Sequence, residues 1–261
     1  MASTKFKSIE DTMVMTIGNS PIILLSVHGG YIDIPCKGKR PDNNMLIEHN
    51  DYNTLELAYS ISSELEKKGI IPYMAFNLIN REDIDLNRTI ENGTNINCKH
   101  TIDIYKLFFS NLDKLVKHSK KLYGKCIILD IHGSKLNNTV ELGFNVSLDD
   151  LVNNYLQNSS IKSLVEKKST YNGKKSFSYY LEKQLKNVII FPNSGRLDLE
   201  LLEPVAYVYY NGANIANRYK DMCDYYQIEI SQDLRISRFI WTSNKLSNAI
   251  YRWITEVYTN L

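Results

Sequence analysis

Short apolar runs alternate with amphipathic stretches along most of this chain. The first run, Pro21-Ile22-Ile23-Leu24-Leu25-Ser26-Val27, is continuous rather than alternating, which predicts a strand buried on both faces. Residues 13–17 before it predict an edge strand. Residues 51–68 place Leu55, Ala58, Ile61 and Leu65 on one helical face, with Asn50 or Asp51 as cap and Gly69 as the stop. A second strand is predicted over 70–78. The clearest helix spans 103–123, where Ile104, Leu107, Phe108, Leu112, Leu115, Val116 and Leu122 form a stripe closed by Gly124. Cys126-Ile127-Ile128-Leu129-Asp130-Ile131-His132-Gly133 then repeats the first pattern, an apolar run that ends at a histidine and a glycine. Strands alternating with helices of this length predict an α/β fold of three layers, a mainly parallel mixed sheet with helices on both faces.

The second half is less regular. Helices are predicted over 148–155, 176–186, 213–219 and 244–258, the last with Leu246, Ile250, Trp253, Ile254 and Val257 inward. Strands are predicted over 187–191, 206–210 and 225–231. Polar stretches at 35–50, 89–100 and 192–204 read as loops. No repeat or composition break divides the chain, so residues 1–261 are expected to form one domain.

Composition narrows the classes of function. A chain of 261 residues buries roughly 70–75% of its unfolded surface. A net charge of +2 without a Lys/Arg block argues against a nucleic-acid surface. No apolar run approaches the ~20 residues that span a bilayer, and the N-terminus lacks the apolar core of a secretory signal. Cys36, Cys98, Cys126 and Cys223 show no CxxC spacing. Reduced thiols in a cytoplasmic protein are therefore expected, rather than a disulfide framework or a thiolate zinc site.

Five histidines are present. His49, His100 and His118 lie in polar contexts and read as solvated. His28 and His132 each end a buried run and precede a glycine. Parallel strands ending side by side would bring both imidazoles to the rim where open α/β sheets bind ligands. Two neutral imidazoles and a carboxylate are the ligand set of an open catalytic zinc site with water in the fourth position. Asp33, five residues after His28, is the carboxylate that the spacing offers; Glu141 is a more distant one. The helix-borne HExxH arrangement is absent.

Such a site also needs a base and a grip on the substrate. Glu229 alternates with apolar residues in Tyr226-Gln227-Ile228-Glu229-Ile230, and burying it would be costly without a partner such as a metal-activated water. The bland alternative puts it on a solvated strand face, paired with a lysine. Arg88 can fork onto a substrate carboxylate, or else pair with Asp83 or Asp85; Arg196 and Arg235 are weaker candidates of the same kind. A metal-free hydrolase using Ser26 or Cys36 would lack both a nucleophile elbow and a base.

Four segments carry a resemblance to a known family. They are Ser26-Val27-His28-Gly29-Gly30 with Ile34-Pro35; Asn80-Arg81 with Ile84-Asp85-Leu86-Asn87-Arg88; Leu129-Asp130-Ile131-His132-Gly133; and Gln227-Ile228-Glu229-Ile230 with Leu234-Arg235. In content, order and spacing they resemble the N-formylglutamate amidohydrolase family of zinc-dependent, carboxypeptidase-like hydrolases. The resemblance implies a zinc exopeptidase-like α/β domain with one zinc ion, His28 and His132 as ligands and Glu229 as the catalytic carboxylate. It implies Asn87 and Arg88 as the pair that grips the substrate's carboxylate. His28-Gly29-Gly30-Tyr31-Ile32-Asp33 is similar to the His-Gly-Gly-x-Ile-Glu of related poly-γ-glutamate hydrolases, whose acid is the third ligand, which supports Asp33. The chain departs from these families in that shorter acid, in having no proline before His28, and in Tyr210-Asn211-Gly212-Ala213 where paired glycines are common.

The expected function is zinc-dependent cleavage of an amide in an N-acyl amino acid or short γ-linked peptide, with Glu229 as general base. The alternative is a catalytically silent binding module of the same fold that recognises an amino-acid-like or peptide ligand.

Overall fold

The computed structural model describes residues 4–5, 8–36, 40, 49–153, 155–166, 173–195 and 212–260. Its strands are β1 (Thr4–Lys5), β2 (Met13–Thr16), β3 (Ile22–Ser26), β4 (Ile32–Asp33), β5 (Tyr73–Asn77), β6 (Ile127–Ser134), β7 (Thr139–Gly143), β8 (Ile189–Phe191) and β9 (Asp224–Ser231). Seven of them form one mixed sheet in the order β2-β5-β3-β6-β9-β7-β8, while β1 and β4 pair separately. The central strands β5, β3, β6 and β9 are parallel. The edge strand β2 is antiparallel to β5, and β7 is antiparallel to β9.

The helices are α1 (Thr54–Glu66), α2 (Ile90–Gly93), α3 (Lys99–Tyr123), α4 (Leu148–Val152), α5 (Lys162–Glu166), α6 (Phe177–Gln184), α7 (Ala213–Tyr219), α8 (Gln232–Arg235) and α9 (Phe239–Glu256). Side chains alternate between the faces of a strand, and β3 buries both sets. Ile22 and Leu24 join a core with Leu57 and Ile61 of α1, Leu181 of α6 and Ile250 and Trp253 of α9. Ile23 and Leu25 join another with Ile104, Phe108 and Leu112 of α3 and Tyr219 of α7. Two apolar faces explain the unbroken run, each fully buried Leu or Ile contributing about 1.5–3 kcal/mol relative to exposure. The predicted α/β sheet with helices on both faces is what forms.

Several boundaries differ from the sequence pattern. Helix α1 starts at Thr54 behind Asn53, which adopts φ 64°, so neither Asn50 nor Asp51 caps it. Strand β6 continues through His132 to Ser134, and α9 begins at Phe239 instead of 244. Strand β7 was not foreseen, because Glu141 interrupts its short apolar run. The strand predicted over 206–210 lies outside the described residues, as does Arg196. The expectation of four reduced thiols is corrected for two of them. Cys36 and Cys98 form a disulfide with Cα atoms 6.0 Å apart, while Cys126 and Cys223 are free. Their separation of 62 residues carries no local signature, and only the fold brings the two together. Among the described residues, no helix is long and apolar enough to cross a membrane.

Candidate metal centre

The carboxyl ends of β3, β6 and β9 converge on one polar cluster. In β6, Asp130 and His132 share a face with Ile128, and in β9 Gln227 and Glu229 share that face with Tyr225. Their neighbours Leu129, Ile131, Ile228 and Ile230 turn into the core beneath α1 and α9. His132 and Glu229 are register partners in the β6–β9 pair. His28 follows β3 directly. Gly29 and Gly30 serve close approach: a Cβ would lie 2.5 Å from Leu55 N at Gly29 and 2.3 Å from Leu78 C at Gly30. The missing side chains let α1 and the end of β5 close around the histidine loop. The Asp51 N–H then donates to His28 O at 3.0 Å, which turns the Asp51 side chain inward.

His28 and His132 are 1% and 2% exposed, and their Nδ1 atoms face each other at 3.1 Å. Asp51 Oδ2 lies 3.4 Å from His28 Nδ1 and 3.5 Å from His132 Nδ1. On the far side of each ring, Nε2 meets a carboxylate: Asp85 Oδ1 at 2.7 Å from His28 and Asp130 Oδ2 at 2.9 Å from His132. At His28 the Asp85 carboxylate accepts the Nε2 proton and so leaves Nδ1 of a neutral imidazole with its lone pair, while at His132 the Asp130 carboxylate stands within ion-pair distance of Nε2 and favours the proton on that nitrogen. Two imidazole Nδ1 atoms and a carboxylate oxygen thus converge on one point. That arrangement is repulsive unless a cation or an added proton lies among them, and histidines backed by carboxylates are the usual ligands of such a cation. Their ligand atoms all lie within 4.8 Å of one another, which fits a single metal ion.

Further charges surround the cluster. Arg81 bridges Asp51 Oδ1 at 3.1 Å and Asp85 Oδ2 at 3.2 Å, and Arg40 reaches Asp85 at 3.6 Å. Tyr225 Oη donates to Asp130 Oδ2 at 2.8 Å. Burial pushes the Asp51 carboxyl up, but the two histidines and Arg81 outweigh it and hold the group well below its ordinary range. Asp85 behaves likewise, with burial overcome by His28, Arg81 and Arg40. Burial lowers His132, yet Asp130, Asp51 and Glu229 together raise it well above the ordinary value. Glu229 is pushed up to about 7, chiefly by burial and also by the charge of Asp51, against the lowering pull of His132. Its Oε1 accepts from Gln227 Nε2 and lies 3.9 Å from His132 Nδ1, while its buried Oε2 has no hydrogen-bond partner. Glu229 is thus buried instead of on a solvated face, and it pairs with no lysine among the described residues.

His28, Asp51, His132 and Glu229 line a cavity of about 430 Å³, together with Arg81, Asn87, Arg88, Lys135, Gln227, Gln232 and Arg235. Both residues predicted to grip a carboxylate therefore reach the site. Arg88 makes no ion pair among the described residues; Asp85, one of its alternative partners, is held by His28 and Arg81. His49, read as solvated, is exposed but also borders this cavity. Asp33 does not join the group. It sits exposed on β4, where Asn80 Nδ2 donates to it. Glu141 is buried opposite Glu229 in the β7–β9 pair and is also outside the group. Cys36, Cys98 and His100 form another close set, but its two sulfurs are joined in the disulfide.

Sequence reasoning missed Asp51 because a helix cap explained it locally. Asp130 and Arg81 stand inside the motif segments without an assigned role, and Asp85 enters only as an alternative partner for Arg88. The i,i+2 spacing of Asp130 and His132 on a strand is the signal that would have paired them.

No protein-family model matches the chain, and no curated relative matches it. Solved structures do. The crystal structure of N-formylglutamate amidohydrolase from Ralstonia eutropha JMP134 aligns over 96% of this chain and 99% of its own, with a TM-score of 0.57 and 14% identity. A gene product from Agrobacterium tumefaciens aligns over 94% of each chain, with a TM-score of 0.53 and 13% identity. A bacteriophage poly-γ-glutamate hydrolase aligns over 95% of this chain and 90% of its own at 12% identity and a TM-score of 0.41, a likeness too loose to define the fold. The family that the four sequence segments resemble is thus represented among the structures similar to this chain, and the likeness establishes a shared fold.

Proposed function

We propose that this chain is a zinc-dependent hydrolase that cleaves the amide bond of an N-acyl amino acid or a short, γ-linked peptide. The observation that carries the reading is the meeting of two imidazole Nδ1 atoms and the Asp51 carboxylate at one buried point beside Glu229. His28, Asp51 and His132 would hold the ion, with Asp51 in the place the sequence spacing gave to Asp33. Zinc bound there supplies Lewis acidity that favours attack of water on an amide carbonyl.

The chain's own residues supply the rest. Glu229, raised by burial and hydrogen-bonded by Gln227, takes a proton from the attacking water and returns it to the leaving amine nitrogen. Asp85 and Asp130 hold the histidine tautomers. Arg88, half-buried and without an ion pair among the described residues, forks onto the substrate's carboxylate, with Asn87 beside it on the cavity wall. The likeness in fold to an N-formylglutamate amidohydrolase supports the same class of reaction.

The test combines metal analysis of the purified protein with a turnover screen of N-acyl amino acids and γ-glutamyl peptides. One equivalent of zinc is expected, removed by chelation together with turnover. Glu229→Gln is expected to abolish turnover and retain the zinc. A protein without zinc, indifferent to His28→Ala and His132→Ala, overturns the proposal. Zinc bound without turnover of any substrate selects the silent binding module instead.

A further inference from the structure

Arg235 lies beside the His28–Asp51–His132 group, and its guanidinium is tied to the main chain. It is 5% exposed, and each nitrogen of its guanidinium donates to a main-chain carbonyl. Nε donates to Ile230 O at 2.8 Å, Nη2 to Ser134 O at 3.3 Å and Nη1 to Tyr52 O. Asn53 Nδ2 closes the loop by donating to Arg235 O at 3.2 Å. The three carbonyls belong to the end of β9, the end of β6 and the residue after Asp51. Those segments carry Glu229, His132 and Asp51. A planar guanidinium can hold three backbone segments in a fixed relation, which a lysine ammonium cannot reproduce.

Gly133 completes the arrangement. Residues 129, 131 and 133 of β6 point to the same face, so a side chain at 133 would enter the space where the guanidinium lies. A Cβ there would stand 2.4 Å from Arg235 Cζ and 2.6 Å from Nη2. The absent side chain is what seats the arginine. In turn, the Gly133 N–H donates at 3.0 Å to Asp51 Oδ2, the oxygen that faces both histidines.

We propose that Arg235 and Gly133 form a lock that sets Asp51 Oδ2 as the third metal-binding atom, Arg235 acting as a positioning residue and not as a substrate clamp. Arg235 fixes the backbone on both sides of the contact, and the Gly133 N–H fixes the oxygen itself. The inference rests on the metal reading of the His28–Asp51–His132 group. The competing explanation is that Arg235 merely staples the fold.

Cobalt(II) spectra and zinc affinity by chelator competition separate the two. Arg235→Met and Gly133→Ala are each expected to weaken zinc binding by about 10–100-fold, the range for residues that orient ligands. Their cobalt spectra are expected to move towards that of Asp51→Ala, with Arg235→Lys in between. Gly133→Ala in the Arg235→Met background is expected to add little, because the two share one mechanism. As a control for lost stability alone, Ile250→Val removes a buried methylene from α9 and is expected to keep the wild-type spectrum. Wild-type cobalt spectra in the lock variants, with affinity losses no larger than that control, would overturn the lock. Should Arg235→Met fail to fold, Arg235→Lys and Gly133→Ala carry the same comparison. A wild-type protein that takes up neither cobalt nor zinc refutes the metal reading, whatever the lock variants do.

Discussion

The choice between Asp51 and Asp33 exposes the proposed centre most directly. Asp51→Ala removes the oxygen that lies within 3.5 Å of both histidine Nδ1 atoms. Replacing residues that only orient ligands already weakens metal binding about 10–100-fold, or about 1.4–2.7 kcal/mol. Removing a ligand should exceed that range. The same substitution strips the Gly133 N–H and Arg81 Nη1 of an acceptor. Leaving a buried donor unsatisfied costs about 1–3 kcal/mol, so the metal-free protein should also lose stability, less what Asp85 retains for Arg81. Asp33 is exposed, and its described side-chain contact is with Asn80. Asp33→Ala should leave zinc affinity unchanged and shift stability within about 0.5 kcal/mol.

Two assays read these effects apart: chelator competition for zinc affinity, and equilibrium urea unfolding with excess EDTA for the metal-free chain. Affinity loss confined to Asp51→Ala is the expected result. If Asp33→Ala weakens zinc binding while Asp51→Ala leaves it intact, the geometry argued above is wrong and the spacing of the His-Gly-Gly loop was the better guide.

Three other perturbations follow from named contacts. Asp130→Asn keeps the shape beside His132 Nε2 but removes the charge that holds its tautomer; zinc affinity by chelator competition should fall about 10–100-fold with the fold retained by circular dichroism. Arg88→Ala should lower kcat/KM on an N-acyl amino acid by about 10–150-fold, the equivalent of a charged hydrogen bond of ~1.5–3 kcal/mol, and should do little to the corresponding C-terminal amide, which offers no carboxylate. Cys36→Ser should lower unfolding free energy by about 4 kcal/mol in urea titrations, from the chain entropy released when a loop of 62 residues is opened, and a thiol reductant should reproduce the loss in the wild type. No change in either experiment would mean that the pair is not bonded in solution.

What could be read in the sequence, and what could not, divides along a physical line. Strand β3 was legible because both its faces are buried, so its apolar run needs no context beyond itself. His28 and His132 were legible because each interrupts such a run at its carboxyl end. Glu229 was legible for the opposite reason, a carboxylate set between Ile228 and Ile230 on a strand whose every position is buried. Strand β7 was not, since Glu141 is buried there by its cross-strand neighbours on β9 and no local pattern reveals that.

Asp33 and Asp51 show the same limit more sharply. The chain leaves His28 with Gly30 pressed against the backbone of Leu78 and Ile79, and Ile32 then bridges to Ile79. With Ile32 directed inward, strand alternation turns Asp33 outward, away from the histidine it follows by five residues. Asp51 stands farther along the chain and precedes a helix, where an aspartate is explained by capping. Its role depends on the β3–α1 connection folding back until Asp51 N–H meets His28 O, a contact that exists only in three dimensions. Nearness in sequence therefore favoured a carboxylate that lies outside the His28–Asp51–His132 group. A strand's alternation argues against a ligand at an odd offset from an inward-facing residue unless the strand has already ended. In this chain the Ile32–Ile79 bridge keeps the strand running through Asp33, and that continuation is what turns the carboxylate away from the histidines.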